Sequence, residues 1–294
     1  MSAEVKKKLI IAAALLLVAA LGEVVWQVVS GEPCYNGKPL SYWIGHQRRD
    51  PTPEEQYAAL VVLRDKAVPI LIKRLRSRPS PAMQLLSAWF PKFSPLARYG
   101  DRVSIARQCA VHALGVLGPT AREAIPALEA LDPEATSPFF GASVRAALAS
   151  IKQEPLLPYV DKLKDTSDPG LCEAAFLMCY RGTNAVAAVP NLIAALEVTT
   201  NVNVMIRVLA CQALKSIHSR PEVCVPALAP MLKSPDASER QMGLLTVAVF
   251  GSGARPLWAE LTNCLGDPYP LTRETAAMLL KEIDADAASK AGVQ

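Results

Sequence analysis

The chain has 294 residues, of which 51% are apolar and 20% charged, with 31 basic against 27 acidic side chains. This excludes intrinsic disorder, which needs low hydrophobicity and high net charge. The net charge of +4 excludes a general nucleic-acid binder. Aromatics are scarce at 6%, while the 24 prolines exceed the usual ~5% of residues. Such a composition implies short Ala/Leu/Val helices that proline repeatedly starts or stops.

The chain opens with Lys6, Lys7 and Lys8 followed by an unbroken apolar run from Leu9 to Leu21. That run has the length of a secretory h-region, and Ala20-Leu21-Gly22 offers small residues for a cleavage site. Apolar character resumes in Val24-Val25-Trp26-Gln27-Val28-Val29, so Leu9 to Val29 is long enough to cross a hydrocarbon core about 30 Å thick. Residues 1–30 therefore read as an uncleaved membrane anchor, with a cleaved signal and secretion as the alternative. The lysine triplet favours a cytoplasmic N-terminus and an exported remainder.

Residues 31–52 form a juxtamembrane segment. Asn36-Gly37 is a turn, Pro39 begins a short helix, and Leu40, Trp43 and Ile44 share one of its faces. It reads either as a cap over the first helical layer or as a docking peptide.

From 53 to 283 the sequence repeats. Val68-Pro69-Ile70-Leu71, Ile125-Pro126-Ala127-Leu128, Leu157-Pro158-Tyr159-Val160, Val189-Pro190-Asn191-Leu192, Val225-Pro226-Ala227-Leu228 and Arg255-Pro256-Leu257-Trp258 share a proline followed by apolar residues. These prolines step by 57, 32, 32, 36 and 30 residues. Proline in a first turn sacrifices no intrahelical bond, so each is expected to start a helix. A second helical pattern precedes each proline; Ile206, Leu209, Ala210, Ala213, Leu214 and Ile217 trace one face of it. Arg107, Arg145, Arg240 and Arg273 open equivalent helices, with Glu173 instead in the copy near Leu171, and Asp-Pro or Pro-Asp pairs fill the linkers. Two helices per repeat imply an all-α fold, an α-solenoid of six to seven helical hairpins.

The Asp before the first helix, the Val/Ile-Arg-x-x-Ala-x-x-Ala-Leu within it, and Val-Pro-x-Leu opening the second resemble the HEAT-repeat family. The resemblance covers roughly Pro53 to Ile283 and is best at Ile105 to Leu131. It implies that Arg107, Arg207, Arg240 and Arg273 form a structural ladder between repeats. The 31–52 segment is similar to the stretch introducing HEAT repeats in a group of uncharacterised exported bacterial proteins.

The 57-residue interval contains an insertion at 78–102 that gathers Trp89, Phe90, Phe93 and Tyr99. It reads either as an extra helix and loop packed on the repeats or as an aromatic contact site for a partner protein. Beside it lie Lys73, Arg74, Arg76 and Arg78, either a solvated helix face or a contact for anionic headgroups or an acidic partner. Pro33 to Arg107 carries a local balance of +8, the remainder to the end −4.

No phosphate-cradling loop, nucleophile elbow or zinc spacing occurs among the seven cysteines and three histidines. His112, between Ala110 and Ala113, reads as a groove or core-edge residue, and most cysteines as small buried hydrophobes. The sequence thus implies no cofactor, no metal and no enzyme activity. The expected function is a membrane-anchored scaffold for an unknown protein partner, presenting a concave surface in the bacterial envelope. The alternative is a HEAT-type lyase or catalytic accessory protein holding a small ligand in the groove. The tail 284–294 is small and polar and expected to be frayed.

Overall fold

Alanine and leucine at helical spacing dominate the chain, and the fold is all-α: in a computed structural model, 79% of the described residues are helical. The structure describes residues 32–44, 53–78, 99–131, 137–165, 167–197, 204–290 and 292. The apolar run of residues 1–30 and most of the 78–102 insertion, with Trp89, Phe90 and Phe93, lie outside them. Among the described residues no helix is long and apolar enough to cross a membrane.

The chain enters through a two-stranded hairpin, β1 (Cys34–Tyr35) and β2 (Lys38–Pro39), joined at Asn36-Gly37, where both residues have positive φ. Helix α1 (Leu40–Ile44) follows, beginning one residue after Pro39, which itself lies in the strand. Its Leu40, Trp43 and Ile44 are buried against α2 (Pro53–Leu75). Arg74 of α2 donates to Glu32 Oε1, while Glu32 Oε2 accepts from the Ser41 N–H at 3.0 Å, so one carboxylate ties the hairpin segment to the helix.

Six longer helices pack in chain order, each against its neighbours: α3 (Tyr99–Leu117), α5 (Pro138–Ile151), α7 (Leu171–Arg181), α9 (Val204–Ile217), α12 (Ala237–Ala248) and α14 (Pro270–Ile283). Shorter helices return between them: α4 (Ile125–Glu129), α6 (Leu157–Lys162), α8 (Val189–Leu196), α10 (Pro221–Ala227), α11 (Ala229–Leu232) and α13 (Trp258–Cys264). A continuous core of alanine, leucine and valine runs between these helices, with Leu114, Leu128, Leu177, Leu192, Leu209 and Leu214 among its most buried members. Small residues let the helices approach closely. Gly243 of α12 sits so near α11 that a Cβ there would stand 2.8 Å from that of Met231.

Prolines 126, 158 and 190 occupy the first turns of α4, α6 and α8. The other three repeat prolines do not start helices. Pro69 lies inside α2, where the carbonyl it deprives of a donor belongs to Asp65, an exposed residue. Pro226 sits near the end of α10, which Pro221 starts, and Pro256 lies in a 3-10 segment just before α13. Of the tail expected to fray, residues 284–290 and 292 are described. Asp284 Oδ1 accepts from the Ala287 N–H at 3.0 Å, capping α15 (Ala285–Lys290), and Ala288 is fully buried.

Candidate functional site

A helix terminates cleanly when the residue after its last turn adopts left-handed φ, which glycine does without strain. Five of the long helices end on such a residue: α3 at Gly118 (φ 56°), α5 at Gln153 (56°), α7 at Gly182 (51°), α9 at His218 (45°) and α12 at Gly251 (49°). After the three glycines the chain runs through 3-10 segments, Gly118–Ala124, Gly182–Ala188 and Gly251–Leu257. Each places a fully buried alanine at its fourth position: Ala121, Ala185 and Ala254.

Where the ends of α3, α5, α7 and α9 line up beside the start of α2, they enclose a groove of about 440 Å³. Its floor holds His112 of α3, whose ring meets Tyr180 of α7 edge to face with centroids 5.3 Å apart. Tyr180 fits because residue 115 is glycine: a Cβ there would stand 2.5 Å from the tyrosine Cδ2. Tyr57 of α2, 55% exposed, forms part of the rim with Thr183 and Asn184.

Several polar groups of this groove hold its walls, while the buried Arg181 Nε has no hydrogen-bond partner among the described residues. Ser150 Oγ donates to the Gly115 carbonyl at 2.8 Å. Arg181 donates to the carbonyl of Glu154 at 2.9 Å and, more weakly, to that of Ala149 at 3.4 Å. Gln56 Nε2 donates to the Trp43 carbonyl at 2.8 Å. Burial pushes the Cys179 thiol up to about 12 and the Tyr180 phenol well above its ordinary value, so both stay protonated and poor as bases. Burial also lowers the Arg181 guanidinium, opposed by Glu154. None of the described lining residues is a carboxylate. Among the described residues no group of three His, Cys, Asp or Glu side chains could hold a metal ion.

The arginines of the long helices share a different geometry. Arg145 Nε of α5 pairs with Glu173 Oε2 of α7 at 2.9 Å, and Arg207 Nη1 of α9 with Glu239 Oε2 of α12 at 3.0 Å. Arg240 of α12 holds Asp267, in the turn before α14, through Nε at 2.5 Å and Nη2 at 3.2 Å. Glu239 is almost wholly buried and also accepts from Ser234 Oγ at 2.5 Å. Arg273 of α14 donates to the carbonyls of Asp267 at 2.7 Å and Pro268 at 3.0 Å. Arg107 lies with its guanidinium carbon 5.3 Å from the Phe140 ring centre, and its Nε is buried without a hydrogen-bond partner among the described residues.

Of the proposed contact residues, Lys73, Arg76 and Arg78 are exposed, whereas Arg74 is engaged by Glu32. Tyr99 opens α3, and Trp89, Phe90 and Phe93 lie outside the described residues. The groove is therefore built from residues that the sequence motifs pass over, His112 apart. Its legible trace is the Gly-x-x-Ala step that follows α3, α7 and α12.

What the fold defines is an all-α protein. No protein-family model matches the chain, and no curated protein matches it in sequence.

Proposed function

We propose that this chain is a HEAT-type α-solenoid that works as a non-catalytic interaction scaffold, held at a membrane by residues 1–30 with its repeats on the exported side. The observation that carries the reading is the packing of α3, α5, α7, α9, α12 and α14 each against the next in chain order. Serial packing of this kind builds an extended surface, and α7 also reaches past α5 to touch α3. The Arg145–Glu173, Arg207–Glu239 and Arg240–Asp267 pairs act in this reading as rungs between consecutive repeats. Arg107 and Arg273 stand at the equivalent positions. Lys73, Arg76 and Arg78 face solvent where anionic headgroups would lie, and the aromatics Trp89, Phe90, Phe93 and Tyr99 supply a second contact.

The groove at the helix ends is the leading protein-binding surface. Its walls are braced by their own polar groups, and Tyr57 stands at its rim as an amphipathic anchor. Its volume alone favours the second reading, a small-ligand site in a lyase or accessory protein.

A photo-crosslinking residue placed at Asn184 in the full chain, in cells, separates the two. The scaffold reading expects one discrete protein adduct, absent from the same probe at exposed Lys233 and lost on Tyr57→Ala. No adduct, together with small-molecule protection of the groove from labelling, overturns it in favour of the ligand site. A phosphatase reporter fused after Gln294 tests the anchoring, which requires export-dependent activity in the membrane fraction. An inactive fusion sinks it.

A further inference from the structure

The α12–α14 contact has a repeat of 33 residues written into it. Arg240 Nη1 donates to the Ser234 and Pro235 carbonyls at 2.8 and 3.0 Å. Thirty-three residues on, Arg273 Nη1 donates to the Asp267 and Pro268 carbonyls at 2.7 and 3.0 Å. Both guanidinium groups are thus held by the same two carbonyls of their own preceding turn. In Arg240 the remaining Nε–Nη2 edge is thereby aimed at the Asp267 carboxylate. Among the described residues that edge of Arg273 makes no hydrogen bond to a carboxylate, although the charge of Arg273 acts on Asp267 at longer range.

The correspondence extends along the helix. Gln241 of α12 receives the Thr272 hydroxyl at 3.3 Å and donates to Thr275 Oγ1 at 3.4 Å. Glu274 stands at the equivalent place on α14 and is exposed. Leu245 is half-buried on α12, while its counterpart Met278 is 46% exposed, and Leu271 about two turns earlier is 44% exposed. Helix α15 packs on α14 yet leaves both of these apolar side chains open. The outer face of α14 therefore repeats the surface that α12 uses to hold a helix.

We infer that the outer face of α14, with Arg273 at its edge, is a docking surface for an amphipathic helix of a partner protein carrying a carboxylate in the turn before it. The carboxylate takes the bidentate guanidinium edge as Asp267 takes that of Arg240. Hydroxyl or amide donors along the incoming helix meet Glu274, and its apolar residues cover Leu271 and Met278. The occupant is specified as acidic and helical by charge complementarity at Arg273 and by continuity with the α12–α14 contact. The inference rests on the scaffold reading but concerns a different surface from the groove, so either test fails without the other.

The probe is a fluorescent peptide of the chain's own residues 265–284, which contains the complement that α12 recognises, titrated against the full chain. Saturable binding is expected, weakened at least about tenfold by Arg273→Ala, by Arg273→Lys, and by Asp267→Asn in the peptide. Met278→Glu, a change at an exposed position that leaves folding intact, should abolish it. Absence of saturable binding at millimolar peptide overturns the inference. So does binding that depends on Arg240 but not on Arg273, because the peptide would then be replacing α14 in its own place.

Discussion

Arg240 grips Asp267 across 27 residues of sequence with two N–H donors, at 2.5 and 3.2 Å, while side-chain exposures of only 12% and 5% keep water away from the pair. Removing one partner leaves a desolvated charge behind. Asp267→Ala is therefore expected to destabilise the chain by about 3 kcal/mol. Arg240→Lys should recover only part of the loss of Arg240→Ala, because an ammonium cannot span both carboxylate oxygens. Urea midpoints of the three variants check the ranking; equal midpoints for the lysine and alanine variants would refute the bidentate role.

A second prediction concerns the helix terminators. Gln153 is exposed and holds φ 56°, at the place where α3, α7 and α12 put glycine. A side chain in left-handed φ carries a strain of about 1 kcal/mol, and removing it outweighs the entropy gained by the unfolded chain. Gln153→Gly is expected to raise the thermal midpoint, whereas Gly182→Ala, at φ 51°, should lower it. Thermal unfolding followed by circular dichroism reads both signs.

Gly115→Ala pits helix propensity against packing. Alanine gains about 1 kcal/mol over glycine inside a helix. Its Cβ, however, would stand 2.5 Å from the buried Tyr180 ring, and overpacking of this kind costs about 1–3 kcal/mol. A net loss is expected because the ring is held between His112 and Phe176 and can give way only into the groove, and Tyr180→Leu should suppress it. A Gly115→Ala chain as stable as the parent would show that the ring yields.

Thiol chemistry gives a fourth test. Burial raises Cys179 and Cys211 to about 12 and Cys224 to about 11, and raises Cys109, Cys172 and Cys264 as well, whereas Cys34 is exposed in β1. Since the thiolate is the nucleophile, maleimide at pH 8 should label Cys34 first and leave Cys179 and Cys211 untouched until the chain is unfolded. Intact-mass and peptide mapping check the order. Early labelling of Cys179 would mean that the groove floor opens.

The helices were legible because alanine, leucine and valine recur at helical spacing, as in Ile206 to Ile217. The arginines were legible as a set, but their partners were only half so. Glu173 looks in sequence like a missing arginine, yet it is the acid that Arg145 reaches in the next helix. Proline was the less faithful marker. Its ring removes a donor and crowds the carbonyl four residues back, a cost that a helix interior can still carry, as Pro69 does inside α2. The groove was hidden for a different reason. It is assembled from single residues at the ends of separate helices, such as His112, Ser150, Arg181 and Ser216, and no short motif spans them.

The Arg240–Asp267 pair also fixes how the chain responds to acid. The arginine's hydrogen bonds hold the Asp267 carboxyl below the ordinary aspartate value, with the Tyr269 N–H adding to them and burial opposing. A carboxyl depressed in the folded state contributes stability that is fully present above the unfolded value, about 3.9. That stability is lost as pH falls through the lower folded value, because the unfolded chain then binds the proton first. Parent and Asp267→Asn chains should therefore differ most in urea midpoint above pH 5 and converge toward pH 2. The neutral side chain removes the titration, so the variant's midpoint should change less across that window. Parallel curves from pH 5 to pH 2 would show that Arg240 holds the folded carboxyl no lower than water does.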